Sequence, residues 1–100
     1  MISSRSSFGC TVNVHTNQIY VAGGQTNGVQ TKKCEVYDIL SNNWRELPDL
    51  NEAKSAASLC ILSGRWLYCM GGFSKPDSGS PATLLTSIEI LDLWSPAAKW

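Results

Sequence analysis

One hundred residues, 43% of them hydrophobic and 16% charged, are enough for one packed core and read as a soluble globular chain. Eight basic and eight acidic side chains cancel to a formal net charge of zero, so no field steers the chain to nucleic acid or to anionic lipid, and neither is expected as a partner. No window approaches the roughly 18 apolar residues of a membrane helix, and Met1-Ile2-Ser3-Ser4-Arg5 lacks the apolar stretch of a secretory signal, so the expected location is cytoplasmic.

In chain order the first pattern is Phe8, Cys10, Val12 and Val14 alternating with Gly9, Thr11, Asn13 and His15. This period of two predicts a strand, A, with one apolar row on one face. His15-Thr16-Asn17-Gln18 follows as a polar hairpin turn, then Ile19 to Ala22 as strand B, apolar without alternation and so expected to be covered on both faces. Gly23-Gly24 ends it. A loop from Gln25 to Lys33 leads to strand C, Cys34-Glu35-Val36-Tyr37-Asp38, where Val and Tyr favour the pleat. Ser41-Asn42-Asn43 tolerates left-handed dihedrals, and Trp44 to Leu47 forms strand D, stopped by Pro48, which has no N–H for a ladder.

The order then repeats. Ala57 to Leu62 is strand A, Ser63-Gly64-Arg65 a tight turn, Trp66 to Met70 strand B, Gly71-Gly72 its end, and Ile88 to Asp92 strand C. Asn51 to Leu59 has a cap and good helix formers, so local propensity favours a helix. Register favours a strand instead: with one residue deleted, Lys54-Ser55 takes the place of Arg5-Ser6, and Leu59 and Ile61 take those of Cys10 and Val12. The second strand D is nearly absent, with Trp100 at the place of Trp44 and Trp94 as its rival.

The two doublets lie 48 positions apart (72 minus 24), and Ile19 to Gly24 matches Leu67 to Gly72 in kind at every position. A repeat near 50 residues with Gly-Gly after strand B, Tyr37-Asp38 on strand C, Trp44 on strand D and a basic residue ahead of strand A resembles the kelch repeat. The resemblance implies an all-β fold of kelch-type β-propeller blades: one complete four-stranded blade at residues 1–50 and most of a second at 51–100. It assigns Gly23, Gly24, Tyr37, Asp38, Trp44, Gly71, Gly72 and Trp100 to the structural motif, the glycines because a Cβ would block a close approach and the aromatics because they fill the wedge between blades.

Kelch propellers generally close with five to seven blades. An uncovered blade face of roughly 500 Å² at about 25 cal/mol per Å² forgoes on the order of 12 kcal/mol, comparable with the stability of a small domain. The expected partners therefore include the remaining blades in cis or other copies in trans.

In the resembling family the B–C and D–A loops share one rim and bind a protein or peptide. By position this gives Arg5, Ser6, Gln25 and Asn27 in the first unit and Lys54, Ser55, Phe73 and Lys75 in the second as partner-binding residues. Arg and Ser suit carboxylate or phosphate, and Lys54 lacks the guanidinium fork. The long loop from Phe73 to Thr86 is a further candidate, with Leu84 and Leu85 expected to tuck toward the sheet.

The implied function is a non-catalytic interaction module, with the substrate-recruiting part of a cullin-type ubiquitin ligase adaptor as one form. The alternative is a piece of a kelch-fold enzyme of the copper oxidase or sialic-acid isomerase type, which needs convergent His, Tyr, Arg or acidic groups. His15 is the only histidine, and Cys10, Cys34, Cys60 and Cys69 contain no C-x-x-C pair, so no metal, cofactor or catalytic residue is expected. Gly23-Gly24-Gln25-Thr26-Asn27-Gly28 has phosphate-loop spacing, but Val29-Gln30 stand where Lys and Ser/Thr are required.

Overall fold

The structure, a computed structural model, describes residues 5–26, 29–74, 83–95 and 99–100, and among these all regular structure is β. The strands are β1 (Gly9–Asn13), β2 (Gln18–Ala22), β3 (Gln25–Thr26), β4 (Val29–Gln30), β5 (Cys34–Asp38), β6 (Asn43–Leu47), β7 (Ser58–Leu62), β8 (Trp66–Met70), β9 (Phe73–Ser74), β10 (Thr83–Leu84) and β11 (Ile88–Asp92). They make a four-stranded sheet in the order β1-β2-β5-β6 and a three-stranded sheet in the order β7-β8-β11. Each carries a two-stranded ribbon, β3-β4 and β9-β10, inside its B–C connection. These are the blade-like sheets that the resemblance implies, the first complete and the second lacking its outermost strand among the described residues.

Segment 51–59 is not helical. Its backbone is engaged elsewhere: Lys54 N–H donates to Thr31 O at 3.4 Å, Gly24 N–H to Lys54 O at 2.8 Å and Ala56 N–H to Ser7 O at 2.7 Å. Tertiary bonds of this kind override a modest helical propensity. The predicted one-residue deletion also holds, because Cys10 pairs with Val21 as Leu59 pairs with Cys69.

Directly opposed residues of an antiparallel ladder share a face, so the registers assign each side chain to a side. Thr11, Tyr20, Val36 and Arg45 form one row of the first sheet, and Gly9, Ala22, Cys34 and Leu47 another on the same side. This side packs on the second sheet: Tyr20 and Val36 meet Leu67 and Leu91, while Ala22 and Cys34 meet Ala57 and Cys69. Gly9 permits the approach, since a Cβ there would lie 2.9 Å from Ala57 O. Trp100 packs on both clusters and its indole Nε1 donates to Pro48 O at 2.8 Å, whereas Trp94 is 66% exposed.

Two expectations need correction, and a third is sharpened. The apolar row of strand A lies on one face as expected, and that face is turned away from the second blade, with Val12 48% and Val14 71% exposed, while the buried positions of β1 are Gly9 and Asn13. Alternation reveals that a strand has two faces, but a blade packs through both, and the side bearing Val12, Ile19, Tyr37 and Trp44 has no sheet against it among the described residues. Tyr37 and Trp44 cover one another there, ring centres 4.9 Å apart, and both are half-buried. The loop from Gln25 to Lys33 contains the β3-β4 ribbon, which its polar composition concealed. Leu84 does not tuck back: it is 67% exposed on β10.

The facing thiols Cys34 and Cys69 sit in the same cluster at 1% and 0% exposure, and all four cysteines are free. Burial pushes the Cys34 thiol up to about 12 and the Cys69 thiol up to about 11, from an ordinary 9.0. The unfolded chain releases these protons near pH 9 and the folded chain holds them longer, so stability is full below pH 9 and declines as pH rises toward 12. A urea titration at pH 8, 9 and 10 is expected to show a falling midpoint, and iodoacetamide at pH 8 to label exposed Cys10 while sparing Cys34 and Cys69.

Candidate functional site

The rim that carries both ribbons is built the same way in each blade. Strand B ends in a doublet with left-handed dihedrals, φ 68° and 101° at Gly23 and Gly24 and 67° and 91° at Gly71 and Gly72. The next residue then joins the segment ahead of strand A by a reciprocal backbone pair. Ser6 and Gln25 exchange N–H···O bonds of 2.9 and 2.8 Å, and Ser55 and Phe73 exchange bonds of 2.9 and 2.8 Å. The structure therefore brings four of the sequence-predicted residues together as two pairs. Asn27 and Lys75 lie outside the described residues.

The basic residues do something else. Arg5 is turned inward with its side chain at 0% exposure, paired with Glu35 at 2.5 Å and donating to Lys33 O at 2.6 Å and Gly23 O at 3.1 Å. Lys54, also at 0%, meets Glu89 at 2.7 Å in an ion pair whose angles depart from hydrogen-bond geometry. Glu89 accepts a further bond from Asn51 N–H at 2.7 Å. The expectation that Arg5 and Lys54 face a ligand is corrected on this point, because a buried carboxylate demands a compensating cation and each blade supplies one from the segment ahead of strand A. Ser55 is also buried, and its Oγ is held by Gln30 Nε2 at 2.7 Å.

Sequence reasoning missed Glu35 and Glu89. A signal for them existed: both are the second residue of a five-residue strand C whose other positions are mostly apolar, and a carboxylate in such a strand requires a partner.

Among the described residues the exposed tips of the ribbons are apolar and neutral polar, with charged Lys32, Lys33, Asp49 and Glu52 exposed on the adjoining B–C and D–A connections. Val29 is 68%, Phe73 42% and Leu84 67% exposed, and Ser6 and Thr26 are exposed beside them. Such a surface can bury apolar side chains of a partner and hydrogen-bond its backbone, and among the described residues it offers no nucleophile paired with a base. Among the described residues no group of three or more His, Cys, Asp or Glu is placed to hold a metal ion, and no helix is long and apolar enough to cross a membrane.

A family model described as the Kelch motif matches residues 7–51. Kelch-like protein 40 of Xenopus laevis is 35% identical over 94 residues, which cover 94% of this chain and 14% of that protein. An F-box/kelch-repeat protein of Arabidopsis thaliana is 31% identical over 65 residues, 65% of this chain and 16% of its own length. Kelch repeat and BTB domain-containing protein 2 of Ectromelia virus is 31% identical over 72 residues, 72% of this chain and 12% of its own. The chain thus spans 14%, 16% and 12% of these relatives, a small part of each.

Proposed function

This chain belongs to the kelch-repeat family, and on that premise we propose that it is a non-catalytic protein-interaction module whose ribbon-bearing rim binds a protein or peptide. The observation that carries the reading is the exposure of Val29, Phe73 and Leu84 on ribbons whose bases are pinned by the Ser6–Gln25 and Ser55–Phe73 pairs. Pinned apolar tips above a rigid sheet are preorganised, and preorganisation lowers the cost of binding. Ser6, Gln25 and Phe73 are the inherited site residues that this reading retains at the surface, with Val29 and Leu84 added; Arg5, Lys54 and Ser55 shape the rim from beneath.

The remaining blades belong to the same proposal. The uncovered row Val12, Ile19, Tyr37, Trp44 of the first blade corresponds by register to the covered row Ile61, Leu67, Leu91 of the second. The second blade's exposed Ile88, Ile90 and Leu62 lie on the side that corresponds to the first blade's packed side. One sheet added at each end satisfies both, whether from the same chain or from another copy. The finer reading, recruitment of substrates to a ubiquitin ligase, rests on resemblance and on relatives named for F-box and BTB domains.

The test is a selection of peptides from a displayed random library on the protein, followed by affinity measurement against a Val29→Ser/Phe73→Ser variant. Selected peptides are expected to lose at least about tenfold in affinity on the variant. Peptides that bind the variant as tightly would remove the ribbons from the site.

A further inference from the structure

The segment ahead of the second strand A is bonded to both blades by successive residues. Lys54 O accepts from Gly24 N–H at 2.8 Å and Ala56 N–H donates to Ser7 O at 2.7 Å, both toward the first blade. Ser55, between them, exchanges its backbone bonds with Phe73 of the second blade at 2.9 and 2.8 Å. Such alternation belongs to an extended chain, and it makes residues 54–56 a splint with a blade on either side.

Those bonds hold the bases of the ribbons, and one side chain carries the connection further. Gln30, half-buried on β4, donates from Nε2 to Ser55 Oγ at 2.7 Å. Ser55 is buried, so removing this bond withdraws a partner from a hydroxyl that water reaches poorly. The first ribbon thereby grips the residue whose backbone anchors Phe73 on the second. This grip is not part of the repeat. Gln30 stands opposite Gln25 on the first ribbon as Leu84 stands opposite Phe73 on the second, and Leu84 has no amide and is 67% exposed. Ser6, the counterpart of Ser55, is exposed. A bond belonging to the blade framework would have a counterpart at these positions; this one instead joins the two ribbons that bear the apolar tips.

We infer that, with the rim as the binding surface proposed above, Gln30 is a positioning residue that ties the two ribbons into one site for a single partner segment bearing two apolar side chains. Val29 precedes Gln30 on β4, and Phe73 is paired to Ser55, so the Gln30–Ser55 bond fixes the separation of the two tips. A partner that meets both tips then finds them already in place, and loses affinity when they move independently.

The test has one arm without a partner and one with it. In Gln30→Met the Phe73 and Ser55 amides, which protect one another, are expected to exchange with solvent about tenfold faster, while the Val36 and Leu67 amides inside the sheets keep their parental rates. Unchanged exchange at Phe73, or equal acceleration at all four, overturns the role. The tightest peptide from the displayed library, synthesised, is expected to bind about tenfold more weakly to Gln30→Met and to Ser55→Ala, with no further loss in the double variant. Ser55 is buried beneath the rim, so its effect does not come from touching the peptide. A loss from Gln30→Met with none from Ser55→Ala would make Gln30 a direct contact and overturn the role. Peptides indifferent to Val29→Ser/Phe73→Ser would overturn the rim and this role together, whereas peptides that need Val29 and Phe73 but ignore Gln30→Met would overturn the role alone.

Discussion

Alanine at Gly72 is expected to remove more than about 3 kcal/mol of folding stability, while alanine at Gly71, its neighbour in the same doublet, removes about 1–2 kcal/mol. Both residues have left-handed backbone, φ 67° at Gly71 and 91° at Gly72, so each substitution carries a conformational cost. Only one carries a collision. A Cβ on Gly72 would lie 2.7 Å from Ser55 O and 3.1 Å from Ala57 N and Cα, whereas on Gly71 its nearest neighbour would be Leu85 O at 3.6 Å. Ser55 O is fixed by the bond it accepts from Phe73 N–H at 2.8 Å, so relief requires breaking the pair that anchors the rim. In the first blade both positions collide, Gly23 with Lys54 O at 2.5 Å and Gly24 with Ser6 O at 2.6 Å, and both alanine variants are expected to resemble Gly72→Ala. Urea denaturation of the four single variants measures this. Equal losses at Gly71 and Gly72 would show that dihedral preference alone, and not close approach, governs the doublets.

The strand framework was legible because it depends on local grammar. Doublets, turns at Asn42 and Ser63, and β-branched or aromatic runs mark strand ends, and strand C of each blade and strand B of the second have the predicted limits. The ribbons were not legible. Each is held by two-residue strands and by pairing to a distant segment, Ser6 to Gln25 and Ser55 to Phe73, so no local periodicity records it. Direction was illegible too. Position in the repeat placed Arg5 and Lys54 at the rim, which is correct for their backbones, but a sequence position does not say which way a long side chain turns. Their carboxylate partners lie 30 (35 minus 5) and 35 (89 minus 54) residues on, a pairing visible only when strand C is folded beside the segment ahead of strand A.

That pairing yields the other large effect. Lys54→Met leaves the Glu89 carboxylate buried with Asn51 N–H as its remaining bonded partner, and the expected loss is about 3–5 kcal/mol. Adding Glu89→Gln removes the uncompensated charge while keeping an amide oxygen to accept the 2.7 Å bond from Asn51, so the double variant is expected to recover to within about 1–2 kcal/mol of the parent. The same exchange in the first blade is expected to recover less. Arg5 also satisfies Lys33 O at 2.6 Å and Gly23 O at 3.1 Å, and Arg5→Met/Glu35→Gln leaves both carbonyls without that donor. A double-mutant cycle by urea denaturation compares the two blades. A strongly favourable coupling between Lys54 and Glu89, larger than that between Arg5 and Glu35, supports charge compensation as the role of the buried pair; a double variant at Lys54 and Glu89 as unstable as Lys54→Met would assign its worth to packing of the lysine stem instead.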